Sequence, residues 1–530
     1  MRSESLRPET ISAHPLDAAE PATAVDAPAD DRSRAGAAFR RDRRGTVSRR
    51  AMFAGGGAAL AAFWNAALPA RARTGPPEVS ADVDPGSILA KLVRRTTMGI
   101  TGAELARAQT LGYEAYLEYQ LDHTAIDDSA LSAMLAPLTT LTMQPFELAQ
   151  QQGGTIISQL IQAVILRGVF SNRQLFERMV EFWTDHFSID ISDGDFAYLK
   201  AVDDRDVIRA NALSTFPQIL SASAHSPAML RYLDNATSVA GNPNENYARE
   251  LLELHTLGVD GGYTQQDVVE VARCLTGWTF YNRNAGNNTG LFRYNNLVHD
   301  NGQKIVLGNI IPAGGGMQDG VTVLDILVNH PSTALFIAKK LCRRFLSEDP
   351  PQSVVADVAA TYTATGGDIK AMIRAMLKPN VLADAEPKYK RPFHILTSMM
   401  RVLPVSIAST NTLRTQLRGA GHEPYYWGPP DGYPDTFAHW SGLLLPRWNM
   451  AFSLLANQTT GSSVDLASFF AGAVNADQMA DRIRDVMFQG DMPAFDRDRI
   501  RDYLLPNPPS TTRQRDAIAL AASSSGFQWY

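Results

Sequence analysis

Cysteine is nearly absent: the 530 residues contain two, Cys274 and Cys342. Two cysteines do not make a disulfide scaffold, and both lie in apolar helical patterns, so buried free thiols are expected. The common catalytic signatures are missing as well. The chain has no H-E-x-x-H, G-x-S-x-G, G-x-x-x-x-G-K-[ST], G-x-G-x-x-G or C-x-x-C. Those absences exclude the zinc-helix, nucleophile-elbow, phosphate-loop, dinucleotide and thioredoxin-like routes to function. The helical Glu-x-x-His of di-iron bundles is also lacking, because Glu253 and His255 stand two residues apart, about 200° around a helix. Strand signals are few, and no internal repeat period argues for a solenoid.

An excess of positive charge is lacking too. The net charge is −6, and the first 73 residues hold twelve arginines against eight acids, which leaves 37 basic and 47 acidic residues in the remainder. An acidic body argues against binding nucleic acid or an anionic membrane surface. With 45% apolar and 20% charged residues, the chain is able to bury a large core.

What is there begins with an address. Residues 1–46 are rich in Ala, Asp, Arg and Pro with little periodicity, and read as a disordered leader. Residues 47–72 carry Ser48-Arg49-Arg50-Ala51-Met52-Phe53, a mild apolar run, and then Ala70-Arg71-Ala72. That order is a twin-arginine signal with its cleavage site, and predicts a periplasmic or secreted protein. The run is about 17 residues and contains Asn65 and Pro69, which is short and polar for a membrane anchor, so no stable span is expected once the signal is removed. Residues 73–86 read as a linker, and 87–530 as one large helical domain, or two lobes with a loop-rich junction near 281–320.

The densest stretch is 242–264, N-P-N-E-N-Y-A-R-E-L-L-E-L-H-T-L-G-V-D-G-G-Y-T. Asn242-Pro243 starts a helix, Gly258 ends it, and Thr264-x-x-Asp267 resembles a capping box for the next. Tyr247, Ala248, Leu251, Leu252, Leu254 and His255 share one arc. The helix at 173–187 repeats the pattern: Leu175, Phe176, Met179, Val180, Phe182, Trp183, His186 and Phe187 lie on one arc, and Arg173, Glu177, Arg178, Glu181, Thr184 and Asp185 on the other. Each helix thus sets a histidine on its apolar side. Either these are core histidines bonded to carbonyls, or they are halves of one site.

These strings are recognisable together. R-x-L-x-E-R-M-x-x-F-W-x-x-H-F at 173–187, Y-L-D-N at 232–235, the long motif from Asn242, G-G-Y-T-x-x-D-V at 261–268, L-T-G-W at 275–278, H-D-x-G-x-K at 299–304 and H-P-x-T-A-x-F-I-A-x-K-L at 330–341 resemble an exported bacterial family. It is the one catalogued as domain of unknown function number 1800, and the resemblance runs from about Ile88 to Ala456. It implies a secreted, mostly helical protein, often encoded beside a sulfatase-like exported protein, and it brings no established activity. The chain departs from the usual pattern at Ala224-His225-Ser226-Pro227, where an aspartate or similar precedes the proline, so no role is carried onto His225.

The expected fold is therefore mainly α, a large multi-helix globular domain with a small β-hairpin or sheet insertion from 277–281, 291–294 and 304–307. Three candidate sites follow. His299, Asp300 and Lys304 bring an imidazole, a carboxylate and an ammonium within six residues, with His299 and Asp300 as metal ligands or as a base and its orienter and Lys304 as an electrostatic stabiliser, or else as a capped turn. The segment 421–435 sets Tyr425, Trp427 and Tyr433 beside Asp431, which suits sugar rings, or else is a proline-stiffened loop packed on the body. Lys339, Lys340, Arg343 and Arg344 form a basic face expected in solvent.

Two functional readings remain. The first is a periplasmic or secreted hydrolase on a polymeric or carbohydrate substrate, with catalytic His255, His299, Asp300 and Lys304. A divalent or transition metal on His186, His255 and His299 would serve it. The second is a non-catalytic helical scaffold that assembles with a sulfatase-like exported protein or a cell-surface polysaccharide. Convergence of His186, His255, His299 and Asp300 would favour the first, and an exposed apolar patch the second.

Overall fold

Residues 173–187 set the pattern for the molecule, since their sequence has no glycine or proline and an apolar residue at every third or fourth place. In the computed structural model, which describes residues 85–530, they form a helix, Gln174–His186, ending where the Phe187 amide closes on the Trp183 carbonyl at 2.9 Å. The leader, the signal segment and residues 73–84 of the linker lie outside the described residues. The first helix, α1, is Pro85–Thr96; α2 is Gly153–Phe170 and α3 is Gln174–His186. Ten of the thirteen residues of α3 are buried, among them Gln174, Glu177 and Arg178. The expected solvent face of this helix is therefore an interior face.

The protein is mainly α, as expected, with small antiparallel pairs inserted. By length and composition α2 could cross a membrane, yet half of it is buried in the core, where Ile156, Leu160, Ile161 and Ile165 join the same apolar cluster as Trp183 and Leu251. From α1 onward the chain falls within one compact unit. Both cysteines are free and buried, and burial pushes each thiol up to about 12.

Two helices widen as they end. The helix α4, Ala197–Val202, continues as a π-helix over Asp203–Arg209. The helix α5, Glu245–Glu250, continues as a π-helix over Leu251–Thr256. The widening is visible in the bonds: the Leu257 amide reaches the Leu252 carbonyl at 2.8 Å, and Thr256 Oγ1 reaches the Leu251 carbonyl at 2.6 Å, both five residues back. The single α-helix expected over 243–257 is thus α only in its first half. Asn244 caps it, by accepting from the Asn246 amide at 2.9 Å, rather than the expected Asn242.

Thr264 and Asp267 form the expected capping box of α6, Gln265–Cys274. Then come the strands β1, Trp278–Phe280, and β2, Phe292–Tyr294, paired with Trp278 opposite Tyr294. The strands β3, Lys304–Val306, and β4, Asn309–Ile311, turn through Leu307 (φ 48°) and Gly308 (φ 78°), the two positive values a tight hairpin turn requires. A third pair, β5, Val405–Ile407, with β6, Ser462–Val464, was not expected, because its strands are three residues long and far apart in sequence.

Three further segments frame the interior: α7, Pro331–Phe345, α8, Pro392–Val402, and the loop 421–435. The loop is pinned at its start by Glu423, a buried carboxylate that takes Arg414 Nε at 2.5 Å and the Arg418 guanidinium. It then crosses the C-terminal end of α3. At Gly432 the backbone has φ 76°, and a Cβ there would lie 2.0 Å from the Asp185 carbonyl oxygen. Only glycine fits that crossing.

Candidate functional site

Of the four side chains expected to converge, two meet. His186 Nε2 donates to the His255 backbone carbonyl at 3.1 Å, and the two rings stand 6.1 Å apart between Phe187, Phe216 and Tyr247. Both are fully buried. Burial, with the Lys340 cation nearby, depresses both imidazoles, His255 to about 3, so both are neutral at any ordinary pH. Three of their nitrogens, His186 Nδ1 and both of His255, have no hydrogen-bond partner.

His299 belongs to a different group. Its Nδ1 lies 2.8 Å from the Thr276 carbonyl and its Nε2 3.1 Å from Asp319 Oδ2. Lys304 Nζ donates to the same Asp319 oxygen at 2.5 Å and to the Asp300 carbonyl. Asp300 accepts Arg273 Nε at 2.8 Å and Nη2 at 3.2 Å, and Arg273 hydrogen-bonding holds its carboxyl below the usual range. Asp319, unnoticed in the sequence, is the hub. The group ties the hairpin to α6, and its hydrogen-bonding atoms are engaged by protein. No hydrogen bond or ring contact links it to His255. The ligand set of His186, His255 and His299 is therefore not assembled, and among the described residues no group of three or more His, Cys, Asp or Glu could hold a metal ion.

The aromatic loop divides between interior and surface. Tyr425 is buried, sits in the left-handed region at φ 67°, and donates from its hydroxyl to Asp204 Oδ1 at 2.8 Å. A strained tyrosine held by the π-helix is the kind of backbone outlier that clusters at functional sites. Tyr433 donates to the Glu423 carbonyl at 2.6 Å. Trp427 is half-exposed, donates from Nε1 to Asp431 Oδ1 at 2.8 Å, and lies 5.0 Å from the Tyr433 ring. Asp431 is exposed. The order from inside to outside is Tyr425, Tyr433, Trp427, Asp431.

Tyr425 and Tyr433 line a cavity of about 60 Å³, room for roughly four water molecules. Its charged wall is the polar arc of α3, Glu177, Glu181, Thr184 and Asp185, with Arg209 and His422. Its lining also includes the apolar Met98, Val164, Val180 and Phe393. Each acid has its cation. Arg209 forks onto Glu177 at 2.6 and 3.0 Å. Arg391 takes Asp185 with Nη1 at 2.7 Å and Glu181 with Nη2. Arg344 Nη2 takes Asp185 at 2.6 Å, and its Nε lies 3.1 Å from Asp435. Burial alone would raise Glu181, but the Arg391 and Arg344 cations win and hold it below the usual range. Asp435 is held down at about 2 by Lys388 and Arg344, against the same burial effect.

The pairing is incomplete at one place. Glu181 Oε2, Arg344 Nη1 and Arg344 Nε are buried without a hydrogen bond, although Oε2 and Nη1 stand 3.4 Å apart. His422, in the same lining, is buried, and its Nδ1 accepts the Phe393 amide at 3.2 Å. Burial, then Arg391 and Arg344, depress it well below the usual imidazole value. A neutral ring whose Nδ1 is an acceptor carries its proton on Nε2. Sequence reading missed Glu177, Glu181, Asp185, Arg209 and His422. The one signal was three acids at i, i+4, i+8 on a helix already rich in aromatics. The basic face of α7 was also misplaced in part, since Arg344 is 4% exposed.

The site is thus a charge-lined, partly apolar cavity within a helical body. The family described as Protein of unknown function (DUF1800) matches residues 91–529, and the chain belongs to it. The match extends well beyond position 456, where the resemblance was expected to stop. No curated protein and no solved structure matches the chain significantly.

Proposed function

We propose that the protein is an exported hydrolase whose chemistry takes place in the cavity beside α3, rather than at the histidines singled out in the sequence. The observation that carries this is the cavity that sets the acids Glu181 and Asp185 with the buried His422 in one lining. In this reading a cavity water beside the Glu181 carboxylate is activated by it as general base, and the Nε2–H of His422 is a neutral donor for charge developing on the substrate. Because both Glu181 and Asp185 are clamped by guanidinium groups, neither is a proton reservoir. The two-carboxylate route to glycosidic cleavage needs such an acid, so base-driven addition of water is the better reading.

Trp427 and Asp431 outside the cavity suit the hydroxylated carrier of a polymeric or carbohydrate substrate, with the indole face for the ring and the carboxylate for hydroxyls. Export rests on the arginine pair and the Ala-x-Ala site. Replacing Arg49 and Arg50 by lysine should keep a reporter fused to residues 1–72 inside the cell. The hydrolase reading is tested with Glu181→Gln and His422→Phe against chromogenic esters and glycosides. Hydrolysis by the parent that both substitutions leave unchanged would remove the site.

The assembly reading draws on a separate observation. Leu297 is 94% exposed, and Ile305 and Ile310 stand opposite each other and exposed on the β3–β4 hairpin. A sulfatase-like exported partner is the candidate occupant. Co-purification lost on Leu297→Asp with Ile310→Asp would support it.

A further inference from the structure

A second knot of charge lies outside the cavity lining, where Arg178 of α3, Arg95 of α1 and His394 of α8 meet Tyr530. Arg178 is 2% exposed. Its Nη1 lies 3.1 Å from His394 Nδ1, and its Nη2 donates to the Tyr530 hydroxyl at 3.0 Å. A guanidinium only donates, so His394 Nδ1 is the acceptor and that ring is neutral. Among the described residues these are the only hydrogen bonds of Arg178, and no carboxylate is ion-paired with it. Asp435, whose charge reaches Tyr530, is already shared by Arg344 Nε at 3.1 Å and Lys388 Nζ at 3.7 Å. Arg95 adds a further cation, with its guanidinium carbon 4.9 Å from the Tyr530 ring centre and a bond to the Tyr530 carbonyl. A buried cation without a counter-charge is strongly destabilising, so an anion is called for beside Arg178. Tyr530 Oη accepts from Arg178 and, among the described residues, has no acceptor for a proton of its own.

We infer that Tyr530 supplies that counter-charge: its hydroxyl ionises ahead of an ordinary tyrosine, and Tyr530 and Arg178 form a pH-sensitive clasp between the chain around Trp529 and α3. This goes beyond the hydrolase reading and does not depend on it. The O–H bond breaks with its electron pair left on Oη, and the proton goes to solvent, which the partly buried residue reaches. Burial opposes the ionisation, but Arg178, Lys388 and Arg95 outweigh both burial and the Asp435 carboxylate, so the phenol lies below its ordinary value. Where burial acts without such cations the direction reverses, as at Tyr247 and Tyr362, which are pushed up. The clasp holds a short piece of paired backbone. Lys388 and Tyr530 exchange amide–carbonyl bonds at 2.9 and 3.0 Å, and Tyr389 pairs with Trp529. When Oη takes its proton back, Arg178 loses its counter-charge and the hold on this segment weakens. An acid whose folded value lies below its unfolded value of about 10 stabilises the fold above that value. The contribution is lost as pH falls through the folded value.

The test is an alkaline titration of the full chain, followed by the near-ultraviolet absorbance of phenolate. One tyrosine equivalent should appear before pH reaches the ordinary tyrosine value of about 10, and Tyr530→Phe should remove it. Arg178→Met should move that equivalent to higher pH, while Arg178→Lys, which keeps the charge, should leave it early. The gap in urea midpoint between the parent and Tyr530→Phe should widen from pH 7 toward about 10. A folded parent that shows no early equivalent would overturn the proposal whatever the variants do. An early equivalent that survives Tyr530→Phe would overturn it as well, by assigning the phenolate to another tyrosine. A midpoint gap that stays constant with pH would overturn the clasp.

Discussion

Arg344 Nη1 stands 3.4 Å from Glu181 Oε2 without completing a hydrogen bond to it, while its other terminal nitrogen donates to Asp185 at 2.6 Å. One guanidinium thus satisfies one carboxylate one helical turn from another that it only approaches. Arg391 supplies the second cation to the same two acids. Removing a partner from a buried pair leaves an uncompensated charge, a loss of about 3–5 kcal/mol. Arg391→Met should therefore lower the free energy of unfolding in urea by about that amount. Arg391→Lys, which cannot fork onto both acids, should lie between Arg391→Met and the parent. A Met variant within about 1 kcal/mol of the parent would show that the acids find other partners.

Acid should destabilise the protein well above the carboxylate range. His186, His255, His394 and His422 are each depressed by burial, and their unfolded value is the ordinary 6.5. As pH falls through 6.5 the unfolded chain takes up protons that the native chain refuses, so stability falls with falling pH. The loss continues toward about 3, where His255 at last titrates in the native state. Below about 4 the release of Glu181 and Asp435 from their cations adds to it, since both are held below their usual values. The urea midpoint should therefore decline steadily from pH 7 to 4.5, with an unchanged m-value. A flat midpoint over that range would contradict the burial of these four rings.

The two histidine helices show how far sequence reading reaches. The apolar arc of 173–187 and the placing of His186 and His255 inside the core follow from local spacing, and both hold. The polar arc of the same helix does not, because local spacing records only that Glu181 and Asp185 are polar. Their partners are Arg344 and Arg391, some 160 to 210 positions away, and nothing in a helix pattern shows that two charged faces will be folded against one another. His299 was misleading for the opposite reason. A compact H-D-x-G-x-K string looks like a site, yet each of its groups is bonded by neighbours in space, with Asp319 and Arg273 completing it. The loop 421–435 lies between these cases. Its cluster of rings was legible, but which of them faced inward depended on where Gly432 let it cross α3.

His255 offers a clean test of the interior histidine pair. Both its nitrogens are buried and unbonded, and an unsatisfied buried polar group costs about 1–3 kcal/mol. His255→Leu keeps most of the volume and removes the unmet polarity, so it should raise stability by about 1–2 kcal/mol and flatten the acid slope. It should leave the proposed activity unchanged, since His255 does not line the cavity. Loss of activity with stability intact would return the catalytic role to His255.

The last prediction concerns the crossing of the loop over α3. Gly432 and Gly428 lie four residues apart in one loop, but a Cβ at Gly432 would sit 2.0 Å from the Asp185 carbonyl oxygen, with φ at 76°, whereas one at Gly428 meets nothing within 4 Å. The backbone penalty alone is about 1–2 kcal/mol, and the contact with a helix carbonyl cannot be relieved by a side-chain rotation. Gly432→Ala must therefore lift the loop away from Asp185, and with it Tyr433, which lines the cavity, and Trp427, whose ring stands 5.0 Å from it. It should lower the melting temperature and raise KM for a sugar-borne substrate, while Gly428→Ala does neither. The pair of variants separates loop position from loop composition. If both behave alike, the close approach at Gly432 is not what holds the cavity wall in place, and the aromatic mouth acquires its position from the Glu423 anchor instead.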